Sequence, residues 1–558
     1  MTDTWTARVD AINARTLARI PANVRINGEN LPSRIIDLPR TSDLLSPLDR
    51  RIIHLDAIDL RDEIARGGLT CVQVAEAFIK STALAHQGTH CLTDFFPEEA
   101  LERARWLDEK FKETGEPVGP LHGVPISVKD QIDIQGKDSA AGFLSQGKSM
   151  IRFSEPILTP SSVGKNIASE DAHVISILRK AGAIFYCKTT LPQAIMHLET
   201  DSYLGPTTNP YQRHAISSGG SSGGEGALLA MRGSPLGIGT DIGGSIRSPA
   251  SACGLYGFKP TAGILPLIGF RNHGCILGVD RIPPTQGPMG HSIRDLELYM
   301  QVVLAANPAV REPNLFPYRW PSQPLPKPSV LRVGYCLDDG VCRPTAPVIR
   351  GVQAALTALR QCEGIELVEF TPREPEESWD VARSLYFCDA GQRMKAQCVA
   401  SGEPVLPLTQ WIVDQAGSEP VTLQQYSSLM TRRSELRNRV AAQWAAAGID
   451  VLLCPAGPSV APKLNTARYW NYTSYWNVVN YPAIIMPTGL YVDSNKDTAK
   501  LEDYRNDQER DNASSFDLQL SEGLPICMQL VGRIWQDADL LSTAKVVDEA
   551  LQKLSQRS

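Results

Sequence analysis

Between Gly219 and Gly257, 39 residues contain twelve glycines, where the chain-wide frequency of 43 in 558 would place about three. Glycine loses more conformational freedom on folding than any other residue. Such a concentration is therefore expected where backbone must turn sharply, approach another group closely, or aim several N–H groups at one point. A Gly/Ser-rich tether shares the composition, but Ala227, Leu228, Leu229, Ala230, Leu236 and Ile238 are too apolar for a solvated linker. The segment is expected inside the fold. Interleaved with the glycines are Ser217, Ser218, Ser221, Ser222, Ser234, Ser245, Ser248 and Ser251, candidate nucleophiles carried on the same stretch of backbone.

The surrounding sequence alternates helical and strand patterns, which predicts an α/β architecture with a central sheet. Residues 55–85 read as helix interrupted at Gly67-Gly68. Val124, Ile126 and Val128 recur at period two, so Ser127 and Lys129 project to the opposite face of a short strand, with Lys129 at its end. Residues 170–181 read as helix and 183–189 as the strand that follows it. Seven prolines between Pro308 and Pro328 predict an extended connection. It divides the chain into an N-terminal helical extension (1–54), a core holding the glycine-rich segment (55–307), the connection itself (308–328) and a second lobe (329–558) that completes the same domain. The polar stretch 492–515 reads as a surface insertion between two core strands.

Several function classes are disfavoured. Lys and Arg number 55 against 61 Asp and Glu, a net charge of −6, which makes a nucleic-acid surface improbable. Charges at Asp3, Arg8, Asp10, Arg15 and Arg19 argue against a secretory signal, and no uncharged apolar run reaches bilayer-spanning length. The twelve cysteines form no C-x-x-C pair and no histidine–carboxylate cluster has metal-ligand spacing, so reduced thiols, a cytoplasmic location and no metal or other cofactor are expected. Gly219 to Gly223 satisfies G-x-S-x-G, yet the hydrophobic strand a nucleophile elbow needs is missing before it, and His273 and His291 are the histidines downstream. Gly237, Gly239 and Gly243 miss the dinucleotide fingerprint by one residue.

GGSSGGEGALLA (Gly219 to Ala230) followed by GSPLGIGTDIGGSIRSPA (Gly233 to Ala250) resembles the signature of the amidase signature hydrolases. HGVPISVKD (His122 to Asp130), KTTLPQ (Lys188 to Gln193), GPMGHSIRDLEL (Gly287 to Leu298), WNVVNYPAIIMPTG (Trp476 to Gly489) and GLPICMQLVGR (Gly523 to Arg533) follow in the family's order. The likeness covers roughly residues 55–550 and leans toward the fungal acetamidase type, with fatty-acid amide hydrolases more distant. It implies an amidase-signature fold, a central mixed β-sheet covered by helices on both faces. It also implies a Ser-Ser-Lys triad, with Ser245 as nucleophile, Ser221 as bridging serine and Lys129 as base.

The residue chemistry is compatible with those roles. A serine hydroxyl needs a neighbour to take its proton, and a lysine serves only when neutral, a state that burial favours. The N–H groups of Ile242, Gly243, Gly244 and Ser245 are candidates to converge on an oxyanion. Asp241 and Arg247 flank the loop and read as a buried pair holding it, in preference to substrate contacts. Ser222 suits either a helix cap or a catalytic role, and Ile195 either the wall of the cleft or the core. Six aromatics between Arg468 and Tyr481 either wall an acyl pocket or pack the lobes together. The expected reaction is hydrolysis of a small-molecule carboxylic amide through an acyl-enzyme. The alternatives are an amidotransferase subunit feeding ammonia to a partner, or an esterase or carbamate hydrolase using the same groups. A homodimer is the default assembly.

Overall fold

A computed structural model describes residues 5–144, 167–271, 281–323, 330–498 and 503–555. Its framework is one sheet of eleven strands. In chain order these are β1 (Leu92–Phe95), β2 (Pro125–Lys129), β3 (Ile184–Thr189), β4 (Leu236–Asp241), β5 (Tyr256–Lys259), β6 (Thr285–Gly290), β7 (Leu331–Tyr335), β8 (Ile365–Glu369), β9 (Val451–Pro455), β10 (Ala483–Tyr491) and β11 (Pro525–Gly532). Across the sheet they run β1-β3-β2-β4-β6-β5-β10-β11-β9-β7-β8. The β3-β2-β4 and β9-β7-β8 neighbours are parallel and the remaining pairs antiparallel, so the sheet is mixed. Strands from both sides of the proline-rich stretch build it.

Side chains alternate between the faces as period two requires. On one face Ile126, Val128, Leu236, Ile238, Ile484 and Met486 join a core that includes His173–Lys180 and Ile293–Ala305 helix residues. On the other, Ala483 packs with the helices of the second half, and Ile485 with the glycine-rich segment. Each such aliphatic side chain, fully buried, contributes roughly 1.5–3 kcal/mol. Lys129, alternating with Ile126 and Val128, is carried on this second face.

The helices that matter for the site are α1 (Ala57–Ala65), α2 (Cys71–Thr89), α3 (Gly223–Ala230), α4 (Arg247–Cys253), α5 (Pro375–Tyr386) and α6 (Asn471–Val478). The break between α1 and α2 falls at Gly67, which takes φ +73° with open space around it, so backbone conformation and not crowding selects glycine there. α2 restarts on a capping box formed by Thr70 and Gln73.

Two expectations need adjusting. The proline-rich stretch is not wholly extended: Pro308–Val310 forms a single 3-10 turn, because Pro308 occupies its first position, where a missing N–H costs nothing. Pro324, Pro326 and Pro328 lie outside the described residues, as does His273. The insertion after β10 is polar but tied down: Arg350 pairs with the buried Asp497 at 2.7 Å, and Arg343 with the buried Glu509 at 2.8 Å. None of the described helices is long and apolar enough to cross a membrane.

Candidate active site

Lys129 ends β2 with no solvent exposure. Its Nζ lies 2.7 Å from Ser221 Oγ and 2.8 Å from Thr240 Oγ1. The Thr240 hydroxyl donates onward to Gln131 Oε1 at 2.9 Å, so its oxygen is left to accept an N–H of Lys129. Burial lowers the lysine pKa to about 7 from an ordinary 10.5, against the opposing pull of the Asp241 and Glu225 carboxylates. Neutral amine is thus accessible near physiological pH.

Ser221 is 1% exposed and follows a cis Gly220–Ser221 peptide bond. Ser245 is 5% exposed and sits in the turn between β4 and α4. The N–H of Ser222 donates to the Ser245 carbonyl at 3.1 Å, which fastens the two serine-bearing loops together. Ser221 and Thr240, 92 and 111 positions from Lys129 in the chain, meet its Nζ at one point.

Asp241 and Arg247 form an ion pair within the loop. Both side chains are fully buried, with Arg247 3.0 Å from Asp241 Oδ1. The guanidinium also donates to Gln529 Oε1 at 2.8 Å and Asn477 Oδ1 at 2.6 Å, so four of its five N–H groups are engaged within the protein. Arg247 and Asn477 hold the Asp241 carboxyl down at about 2 despite its burial.

Asp241 also reaches the segment expected to supply oxyanion donors. Gly244 N–H already donates to its Oδ1 at 2.9 Å, and Ile246 N–H to its Oδ2 at 3.1 Å. Of the four N–H groups expected to face an oxyanion, that of Gly244 is thus engaged by Asp241. The carbonyls of Ile242 and Gly243 accept from Tyr386 and Thr473.

Ser222 occupies the position before α3, but its side chain does not cap the helix. Its hydroxyl instead faces the Thr240 backbone, and Thr200 Oγ1 and the Thr190 carbonyl accept the N–H groups of Gly223 and Gly224. Ile195 packs with Ala141 and Leu191 in a small apolar cluster, at a φ of +61° that a β-branched residue rarely takes.

The sequence reading passed over several neighbours. Glu225 is fully buried beneath Lys129, accepting from Ser127 Oγ at 2.5 Å and Thr189 Oγ1 at 2.8 Å. Burial raises its carboxyl to about 7, against the influence of those hydroxyls and Lys129. Gly237 makes room for it: a Cβ there would lie 2.0 Å from Glu225 Oε2. A carboxylate inside a run as apolar as GGEGALLA was the available signal for Glu225. Thr240, inside the quoted glycine-rich motif, and Gln131, just after HGVPISVKD, had none.

The aromatic segment divides between two uses. Tyr475, Trp476 and Tyr481 join the core of the second half. Trp470 packs against Trp379, Trp411 and Tyr386 with centroids 5.8–6.1 Å apart. It also lines a cavity of about 70 Å³ with Tyr469, Tyr472, Thr473, Leu198 and Ser248. Among the described residues no group of three or more His, Cys, Asp or Glu side chains is placed to hold a metal ion.

The family model described as amidase matches residues 73–154 and 158–541. The chain belongs to the amidase family. Within this family, an acetamidase of Aspergillus oryzae is 33% identical over 553 residues, covering 96% of this chain and 97% of the relative. An amidase of Gibberella zeae is 32% identical over 568 residues, covering 99% and 100%. The solved structure of a fatty acid amide hydrolase superposes with a TM-score of 0.90 at 32% identity, covering 99% of this chain and 95% of that one. The amidase-signature fold and the leaning toward fungal acetamidases both stand, and the protein is an enzyme that hydrolyses amide bonds.

Proposed function

We propose that this amidase cleaves its substrate through Ser245, Ser221 and Lys129. The observation that carries the reading is the 2.7 Å contact between Ser221 Oγ and a lysine held without solvent. In the neutral state the Lys129 amine accepts the Ser221 proton while Ser221 takes that of Ser245, and Ser245 Oγ forms a bond to the amide carbon. The carbonyl electron pair moves to oxygen, where the N–H groups of Ile242, Gly243 and Ser245 stabilise it. Collapse breaks the C–N bond as the proton returns from Lys129 through Ser221 to the departing nitrogen, because an amide nitrogen leaves only once protonated. Water then attacks the acyl-Ser245 ester, giving its proton to the same row. The acid is released and the Ser245 hydroxyl restored.

Short aliphatic amides are the substrate class this reading favours. Relatives named acetamidase support it. Ser245→Ala is expected to abolish turnover of acetamide while keeping the wild-type melting temperature, and a sulfonyl fluoride should label Ser245. Retained turnover in Ser245→Ala would remove the serine from its role. A rate that climbs steadily with acyl length would refute the substrate class alone.

A further inference from the structure

We propose that Tyr386 and Thr473, contributed by the second half of the chain, are positioning residues of the oxyanion loop that fix the two peptide planes on either side of Gly243. The inference rests on the reading of Ser245 given above. Tyr386 ends α5, 1% exposed, and its hydroxyl donates to the Ile242 carbonyl at 2.9 Å across a separation of 144 residues. In a trans peptide the C=O and the following N–H point in opposite directions. Drawing the Ile242 carbonyl toward α5 therefore turns the Gly243 N–H away from α5.

The next plane is fixed at both ends. Thr473 Oγ1, on α6 and 230 residues away, lies 2.7 Å from the Gly243 carbonyl. On its opposite end the Gly244 N–H is held by Asp241. The Thr473 hydroxyl is also 3.0 Å from the Trp470 carbonyl, so its one proton serves the nearer Gly243 oxygen first.

Such external fixing is needed because Gly243-Gly244 is the loop's most permissive dipeptide, with Gly244 at φ +131°. The fit leaves no slack: a Cβ on Gly243 would lie 2.7 Å from the Tyr386 hydroxyl, and one on Gly244 2.3 Å from Thr473 Oγ1. The Tyr386 ring is itself held, packed against Trp470, which in turn meets Trp379 and Trp411. An oxyanion donor contributes only if it is already aimed when charge develops. Tyr386 aims the plane that carries the Gly243 N–H, Thr473 holds the next plane against which that aim is set, and both act on the transition state without touching substrate.

Tyr386→Phe and Thr473→Val each delete a hydrogen bond with little change of shape. With acetamide as substrate, each variant is expected to lower kcat about tenfold, less than the 10²–10³ for losing a donor outright, with KM within about twofold. Affinity for trifluoroacetone, whose hemiketal oxyanion on a serine mimics the tetrahedral state, should fall by the same factor as kcat/KM. A merely structural role would lower the melting temperature and leave the ratio of analogue affinity to KM unchanged. A variant that keeps wild-type kcat and analogue affinity, or loses kcat without losing analogue affinity, would overturn the role of that residue. If either variant fails to fold, the other decides the proposal. Ser245→Ala run alongside separates the two readings: an active Ser245→Ala refutes the nucleophile, whereas a dead one beside wild-type-like Tyr386→Phe and Thr473→Val refutes only the positioning.

Discussion

Replacing Lys129 with methionine should make the protein more stable near neutral pH and less stable in alkali. A lysine held at about 7 in the folded state gives up its proton more readily there than in the unfolded chain, where 10.5 applies. Folding is therefore penalised by about 4–5 kcal/mol below about pH 7, less as pH rises, and not at all above about pH 10.5. Methionine removes that penalty. It also removes the contacts to Ser221 and Thr240, at about 1 kcal/mol each. The balance favours Lys129→Met by about 2–3 kcal/mol near pH 7, vanishes near about pH 9 and reverses by about 1 kcal/mol near pH 10. An unfolding entropy of roughly 1.2 kcal/mol/K for 558 residues turns the neutral-pH gain into about 2 °C. Lys259, also held at about 7 by burial, titrates in both proteins and cancels in the difference. The assay is a pair of melting curves across pH, with activity absent from the variant throughout. A difference in melting temperature that stays constant from pH 6 to pH 10 would show that Lys129 keeps its charge when folded, and the neutral-amine mechanism would go with it.

Two further perturbations probe the same cluster. Glu225→Gln removes a carboxylate that raises the Lys129 pKa. The acid limb of kcat/KM, which rises as Lys129 deprotonates, should move to lower pH, and a limb that moves to higher pH would contradict the coupling. Asp241→Asn strands the buried Arg247 guanidinium without its counter-charge, a loss of about 3–5 kcal/mol that should lower the melting temperature by roughly 3–4 °C. It also weakens the hold on Gly244 N–H, so kcat should fall, and an unchanged kcat would mean the loop does not depend on this carboxylate.

What could be read in advance follows the range of the interaction. Alternation at Val124, Ile126 and Val128 placed Ser127 and Lys129 on one face because period two is a property of a strand alone. The same local logic marked Gly67-Gly68 as a helix break and 183–189 as a strand. It could not single out Lys129, since Lys188 and Lys259 are buried as completely. Only the meeting with Ser221 distinguishes it. Ser222 shows the converse: position made it a plausible cap, but Thr240, on a strand folded against it, took up the hydroxyl. The partners of Tyr386, Thr473, Asn477 and Gln529 were not legible, although Asn477 and Gln529 lie within quoted motifs. Each bonds to the Asp241–Arg247 stretch across 144 to 282 residues, and nothing in the local pattern of WNYTSYWN marks a side chain that will hold a distant carbonyl or guanidinium.

This division has a physical basis. Twelve glycines in 39 residues let the backbone follow the path on which the Ser221 and Ser245 loops are fastened together. The same freedom means that the glycines themselves cannot hold that path. The constraint comes from side chains fixed at chosen atoms. Two belong to the segment, Asp241 on Gly244 N–H and Glu225 filling the space over Gly237, and two come from far along the chain, Tyr386 on the Ile242 carbonyl and Thr473 on the Gly243 carbonyl. Permissive backbone and the clamps on it are thus two halves of one requirement. A substitution that stiffens the segment and one that removes a clamp should both appear as lost transition-state binding before they appear as lost affinity for the ground-state amide.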